Sequence, residues 1–180
     1  LNMNYALANI FRDAVAEADA LTFQAGFAEK VSYRPGHISV ITSDAPIGVQ
    51  LSDGSGLRTG GLTAAENLRE IPYGDQFIMV PDGGSTSRGT LTVLTKIESS
   101  DYRVYINAWG DAVFDLGLVL PDGTGTLRQV TFAGIDMPAG SKGWVTLLPG
   151  TNSAYKFSID NDNDGAVDSE ITASELAIPD

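Results

Sequence analysis

The sequence predicts a mainly β protein, a sandwich or barrel of antiparallel strands that follows one N-terminal amphipathic helix. Short runs of β-type residues alternate with turn residues from about residue 37 onward, and the chain contains 20 glycines and 8 prolines. Hydrophobic residues make up 43% of the chain and charged residues 19%, which is typical of a folded protein with a core and not of a disordered tail.

The predicted helix covers residues 4–21. Its apolar residues recur at helical spacing, while Arg12, Asp13 and Glu17 lie off that face. Such a stripe needs a partner, so we expect self-association or a protein contact through this helix, unless the β body covers it. The stripe consists of Leu7, Ile10, Phe11, Ala14, Val15, Ala18 and Leu21.

The strands are predicted from β-type runs bounded by Gly, Pro, Asp and Asn. The longest stretch without a clear strand is residues 53–74. The boundaries suggest an N-terminal helix and transition (1–33), a first β unit (34–98) and a second β unit (99–180), which form one sandwich or two small β units. The predicted strands are 37–42, 48–51, 76–80, 91–97, 102–108, 113–120, 127–132, 144–148, 155–160 and 166–172.

Apolar alternation is clearest in residues 102–108 and 113–120. Tyr102, Val104 and Ile106 share one face, which we expect to point into the core. The link between the two segments is short, so they are expected to form an antiparallel hairpin. Trp144, which precedes another apolar run, is expected to be a core residue.

Charge and composition exclude several classes of function. The net charge is −12 with 11 basic residues, which argues against binding to nucleic acids or anionic membranes and favours divalent cations nearby. No apolar run approaches the length needed for membrane insertion. The absence of cysteine excludes disulfides, thiolate-bound metals and thiol nucleophiles.

Two stretches resemble a known bacterial β-module: SDAPIGVQLSDGSGLRTG at residues 43–60 and REIPY at residues 69–73. Residues 102–120 are similar to the hairpin that follows in that pattern. The resemblance implies an Ig-like accessory β-sandwich without a catalytic constellation. Such modules occur C-terminal to hydrolase, protease or adhesion domains, which implies a secreted or cell-surface bacterial location.

No catalytic motif is recognisable, and the chain is predicted not to be an enzyme. Nucleophile elbows, zinc-protease helices and phosphate-binding or dinucleotide-binding loops are all missing. His37 is the only histidine, and its setting after Arg34-Pro35-Gly36 is that of a turn entering a strand. With 23 acidic residues, a cryptic hydrolase that uses a carboxylate pair stays an alternative.

A possible ligand platform lies on the face of residues 102–109 opposite the expected core. Tyr105 and Trp109, flanked by Arg103 and Asn107, could stack a sugar while their polar neighbours bind hydroxyl groups. This pattern favours a carbohydrate-binding module as the alternative function. Aromatic residues on strands also cover neighbouring strands or subunits, which is the structural interpretation.

The strongest pattern is the sequence DNDNDGAVD at residues 160–168, which has the spacing of a calcium loop. Oxygen ligands fall at positions 1, 3 and 5, a glycine at 6, a carbonyl at 7 and an acid at 9. It resembles the Asp-rich loops of dockerins and thrombospondin type 3 repeats. Position 12 departs from the pattern, because Ile171 replaces the expected acid. The predicted calcium ligands are Asp160, Asp162, Asp164, the Ala166 carbonyl and Asp168.

The alternative interpretation of this segment is a plain hairpin turn at residues 163–165. The sequence as a whole favours a non-catalytic extracellular structural or interaction module, or a surface-assembly subunit, stabilised by calcium. A carbohydrate-binding module of a secreted enzyme and a cryptic hydrolase are the alternatives.

Overall fold

The computed structural model describes residues 37–79 and 89–177, and this part of the chain is mainly β, as the sequence predicts. Its strands form two antiparallel sheets with a common core. The expected helix at residues 4–21 lies outside the described residues. No helix in the described part has the length and apolarity that crossing a bilayer requires.

The strands follow one another closely along the chain and include several short ones. They are β1 (Ile38–Thr42), β2 (Ile47–Asp53), β3 (Arg58–Gly61), β4 (Leu68–Arg69), β5 (Gly74–Met79), β6 (Gly89–Leu94), β7 (Tyr102–Ala108), β8 (Ala112–Pro121), β9 (Leu127–Met137), β10 (Lys142–Leu147), β11 (Lys156–Asp160), β12 (Ser169–Thr172) and β13 (Ser174–Ala177).

The first sheet has the strand order β13-β9-β8-β1-β6-β5, and the second has the order β12-β11-β10-β7-β2-β3-β4. Each sheet therefore contains strands from both sides of residue 98, and the expected boundary between two β units does not separate the sheets. The division of the chain into units at residues 1–33, 34–98 and 99–180 stays a prediction.

The core lies between the sheets and is built from alternate residues of each strand. In β7, Tyr102, Val104 and Ile106 are buried while Arg103 is exposed, which confirms the predicted core face. The alternate apolar residues of β8 are buried in the same way. Since side chains alternate between faces, the even-numbered residues of β7 fill the core and its odd-numbered residues lie on the outer face of the second sheet.

The predicted hairpin between residues 102–108 and 113–120 is wrong. β7 pairs with β2 and β10 in the second sheet, whereas β8 pairs with β1 and β9 in the first. The short link crosses from the second sheet to the first, and the backbone N–H of Trp109 donates to the Pro46 carbonyl at 2.8 Å. Alternation shows which face of a strand is buried but not which strand lies beside it, so the pattern was compatible with both arrangements.

Residues 53–74, where no strand was clear, contain β3 and β4. Glycine replaces apolar alternation here because the backbone is crowded: Gly60 has φ of +94°, and a Cβ on Gly61 would collide with the Glu66 carbonyl. Three boundaries differ by three residues or more, since β6 ends at Leu94, β9 continues to Met137 and β12 begins only at Ser169. The short strand β13 was not predicted.

The C-terminal strands divide between the layers. β12 pairs with β11 at the edge of the second sheet, and after Ala173 the chain enters β13, which pairs with β9 at the edge of the first. Arg128 on β9 fixes this end of the chain. Its guanidinium lies 3.0 Å from the Glu175 carboxylate, donates to the Ser153 carbonyl at 2.9 Å and stacks over Tyr155 at 4.7 Å.

A buried tyrosine fixes the crossing from β6 to β7. The Tyr102 side chain is fully buried, and its hydroxyl oxygen accepts hydrogen bonds from the backbone N–H groups of Glu98 (2.9 Å) and Ser99 (3.0 Å). Tyr73 contributes to the same cluster: burial, together with its hydrogen bond to Glu98, raises the pKa of its phenol. The chain is thereby held where it changes sheets.

Tyr102→Phe should lower the free energy of unfolding by about 1–3 kcal/mol, because two backbone N–H groups lose their acceptor in a partly buried site. Denaturant unfolding measures the loss. Tyr105→Phe is the matched control, since the Tyr105 hydroxyl accepts only a long bond of 3.4 Å from exposed Arg103. Equal stability losses in the two variants would contradict the structural role of Tyr102.

Gly143→Ala should also destabilise the fold, by about 1–3 kcal/mol, because the added Cβ would overlap the ring of buried Phe157. Gly117→Ala on β8 is the control: its Cβ would lie 3.9 Å from the nearest atom, the Ile41 carbonyl oxygen. Thermal unfolding of the two variants tests the packing. A Gly143→Ala protein as stable as wild type would show that Phe157 is not held against β10 as described.

Candidate metal centre and adjoining cleft

The Asp-rich segment is the loop that joins β11 to β12. The two strands pair from Lys156 opposite Thr172 to Ile159 opposite Ser169, and residues 161–168 project beyond them. Asn163 (φ +60°) and Gly165 (φ +92°) adopt left-handed backbone conformations that let the loop fold back tightly. The hairpin interpretation is therefore correct for the strands, but the connection is longer than a turn at residues 163–165.

Three of the predicted ligands converge. Carboxylate oxygens of Asp160, Asp162 and Asp168 lie within 4.8 Å of one another, close enough to surround one cation. Calcium binds oxygen ligands at about 2.3–2.6 Å, so two ligand atoms on one ion are separated by no more than about 5 Å. The described residues can thus hold a metal ion at this point of the fold.

Backbone groups of the loop orient these carboxylates. The Asp160 side chain, only 2% exposed, accepts hydrogen bonds from the N–H groups of Asp164 (3.2 Å) and Gly165 (2.9 Å). Asp168 accepts from the N–H of Asn161 at 2.6 Å. Because a carboxylate oxygen has more than one lone pair, these bonds position the oxygens and leave them able to bind a cation.

Of the other two predicted ligands, the Ala166 carbonyl stays a prediction, whereas the Asp164 carboxylate is placed differently. Asp164 is not in the converging group, and its carboxylate accepts the Ala166 N–H at 2.8 Å, which closes a small turn. Glu170, the acid next to position 12, forms an ion pair of 2.7 Å with Lys156. The departure at position 12 has a structural reason: Ile171 belongs to β12 and packs against the core, where a carboxylate would be costly to bury.

A cleft of about 410 Å³ adjoins the loop on the outer face of the second sheet. Its floor is formed by β7 and β10, where Tyr105 lies directly opposite Trp144 in the antiparallel register, and both side chains are partly buried. The lining residues are Leu62, Tyr105, Ile106, Asn107, Lys142, Gly143, Trp144, Asp160, Asn163, Asp164 and Gly165.

The segment after β3 forms the opposite wall of the cleft. The Leu62 carbonyl accepts hydrogen bonds from the Trp109 indole N–H (2.7 Å) and the Asn107 side-chain amide (3.1 Å). Gly48 leaves room for this approach, since a Cβ there would lie 2.5 Å from the Leu62 carbonyl carbon. Trp109 thus holds the Leu62 segment in place. Although 46% of Trp109 is exposed, it is not among the residues that line the cleft.

The expectation that Trp144 is a core residue is wrong. Gly143, Val145 and Leu147 of β10 point into the core, so Trp144 lies on the outer face beside Tyr105. The aromatic pair of the cleft is therefore Tyr105 and Trp144, and not Tyr105 and Trp109. The signal was present in the sequence, because Trp144 alternates with the apolar residues that follow it.

Lys142 on β10 lies between the Asp-rich loop and β7. It lies opposite Asp160 on one side and opposite Asn107 on the other, yet its ammonium forms no ion pair with any described residue.

Comparison of the chain with protein-family models, with curated proteins and with solved structures finds no match in any of the three.

Proposed function

We propose that the protein is a non-catalytic structural or interaction module that acts outside the cell and is stabilised by calcium. The observation that carries this proposal is the convergence of Asp160, Asp162 and Asp168, with Asp160 almost fully buried at the end of β11. A buried carboxylate beside two others is costly unless a cation or hydrogen bonds compensate it. Here the hydrogen bonds are present, and a cation would add to them.

Calcium is the cation that fits this ligand chemistry. All three converging side chains offer hard oxygen atoms, which calcium and magnesium prefer, whereas zinc favours nitrogen and sulfur. The loop supplies fewer ligands than the six to eight that calcium takes, so water or carbonyl oxygens must complete the shell. Magnesium demands near-ideal octahedral geometry and is a poorer match to an irregular loop.

The expected effect of calcium is structural. The loop joins β12, the edge strand of the second sheet, to β11, so fixing the three carboxylates on one ion would hold this edge in place. The lack of an acid at position 12 favours a modest affinity, with Kd on the order of 10⁻⁴ to 10⁻³ M, as in extracellular modules. Such a site fills at millimolar calcium.

An Ig-like classification is supported by the strand order. In that fold, strands B, E and D are neighbours in one sheet, and C and F are neighbours in the other. Here β1, β6 and β5 occupy the positions of B, E and D, and β2 and β7 those of C and F. Tyr102 at the start of β7 then corresponds to the tyrosine corner between E and F.

The absence of catalysis and the extracellular location belong to the same proposal. They are supported by the lack of catalytic motifs, by the single histidine and by the resemblance to accessory modules of secreted bacterial proteins. The partner is proposed to be another protein or a second copy of the chain, contacted through the amphipathic segment at residues 4–21.

Saturating calcium should stabilise the fold by about 1–2 kcal/mol at a concentration near ten times Kd, because binding only the folded state adds RT ln(1 + [L]/Kd). For a chain of this size the melting temperature should rise by roughly 2–8 °C. Calorimetric melting in calcium and in chelator measures the shift. Identical melting in both conditions, together with no heat of calcium binding, would refute the metal site.

Asp162→Ala combined with Asp168→Ala should abolish calcium binding and the associated gain in melting temperature. In chelator the double variant should lose only about 1 kcal/mol, because the hydrogen bonds that the two carboxylates accept from Asp164 and Asn161 are exposed. Asp136→Ala is the matched control: it removes one exposed acid from β9 on the opposite face of the sandwich. Isothermal titration of calcium compares the proteins. If Asp136→Ala weakened calcium binding as much as the double variant does, the overall negative charge of the protein, and not this loop, would attract the ion.

A further inference from the structure

We infer that the cleft on the outer face of the second sheet binds a pyranose ring of an oligosaccharide, with Trp144 and Tyr105 as its stacking platform. This ligand site goes beyond the structural role proposed above, and it does not depend on whether the loop binds calcium. A pyranose has an apolar face of C–H bonds and a rim of hydroxyl groups, so its binding site must offer aromatic surface and hydrogen-bonding groups together.

The aromatic surface is provided by adjacent central strands. Tyr105 on β7 and Trp144 on β10 are direct cross-strand partners and point away from the core. The core beneath them is complete without them, because Val104, Ile106 and Val145 fill it from the other face of the same strands. Both are partly buried, and the exposed Arg103 guanidinium lies 5.8 Å from the centre of the Tyr105 ring, so it adds a cation at the edge of the platform.

Hydrogen-bonding groups surround this platform and are available to a ligand. The Lys142 ammonium and the Asn163 side chain form no hydrogen bond or ion pair with any described residue. Asn107 uses its amide N–H on Leu62, which leaves its side-chain carbonyl as an acceptor. Donors and acceptors thus face one cleft, as the hydroxyl groups of a sugar require.

The cleft is formed before any ligand arrives. Trp109 and Asn107 hold the wall at Leu62, and the hydrogen bonds of Asp160 hold the loop at Asp164 and Gly165. Its volume of about 410 Å³ falls within the range of about 300–1,000 Å³ that is typical of small-molecule sites. Walls that are fixed in advance reduce the entropy lost on binding.

Other occupants fit less well. An extended peptide cannot add to the sheet here, because β7 and the part of β10 that lines the cleft, Lys142–Trp144, are paired on both sides. The polar groups around the aromatic floor are unsuited to a lipid chain. The net charge of −12 disfavours nucleic acid.

The test is a titration of the protein with hexasaccharides of β-glucose, β-xylose, β-mannose and N-acetylglucosamine, and with hexagalacturonate. Tryptophan fluorescence and calorimetry report binding. At least one of these probes should bind and change the fluorescence. Trp144→Ala and Tyr105→Ala should each weaken that binding by roughly tenfold, which corresponds to a loss of about 1.4 kcal/mol and lies within the range for removal of a stacking ring.

Phe77→Ala is the matched control, because Phe77 is a 49% exposed aromatic residue on β5, in the other sheet. Trp144→Phe keeps an aromatic ring and should weaken binding less than Trp144→Ala. If the Trp144→Ala protein does not fold, Trp144→Phe is titrated in its place. No binding of any probe at millimolar concentration would overturn the proposal. Equal affinity in wild type and both ring variants would overturn it too.

Each titration is repeated in calcium and in chelator to separate this site from the metal site. Probe binding that persists in chelator and is lost in the ring variants supports the cleft even if the loop binds no metal. Binding that requires calcium, and is still lost in the ring variants, supports the cleft and adds that the ion orders the wall at residues 163–165.

Discussion

The alternation of side chains along β7 is the constraint on which core and cleft both depend. The strand lies between β2 and β10 at the centre of its sheet, so its backbone is fully paired and only its two faces remain free. One face fills the interior and the other carries Tyr105 and Asn107. The buried Tyr102 hydroxyl sets where the strand begins and therefore which residues reach each face. A shift by a single residue would place Tyr105 in the core and Val104 in the cleft.

Local patterns determine which parts of the structure could be predicted from sequence. Alternation and turn residues located most strands and the inward face of β7, because both depend on neighbours in sequence. The pairing of β7 with β10 depends on residues about 40 positions apart, and no local pattern specifies it. The strands β3 and β4 were missed because close backbone packing at Gly60 and Gly61, and not apolar alternation, determines their sequence. Trp144 differs from its expected place in the core because it alternates with Gly143 and Val145, which face inward, and so lies on the outer face.

The candidate site was also only partly predictable from the sequence. The spacing of Asp160, Asp162 and Asp168 predicts their convergence, because a short loop brings alternate side chains together. The sequence could not show that position 12 lies in a strand, where Ile171 serves the core instead of a metal. It also could not show that Asp160 lies opposite Lys142, in the row next but one to that of Trp144 and Tyr105, so that the loop adjoins the aromatic cleft. That adjacency appears only when β10 and β11 are paired.

The division of the last two strands between the layers has a mechanical consequence. A pull on the chain beyond residue 177 acts first on β13, which is held to β9 by four residue pairs and by the ion pair between Glu175 and Arg128. Once β13 detaches, the load passes through Ala173 directly to β12 and then to the Asp-rich loop. The two sheet edges and the loop are therefore loaded in series, and any ion that ties Asp168 to Asp160 would bear tension along the chain.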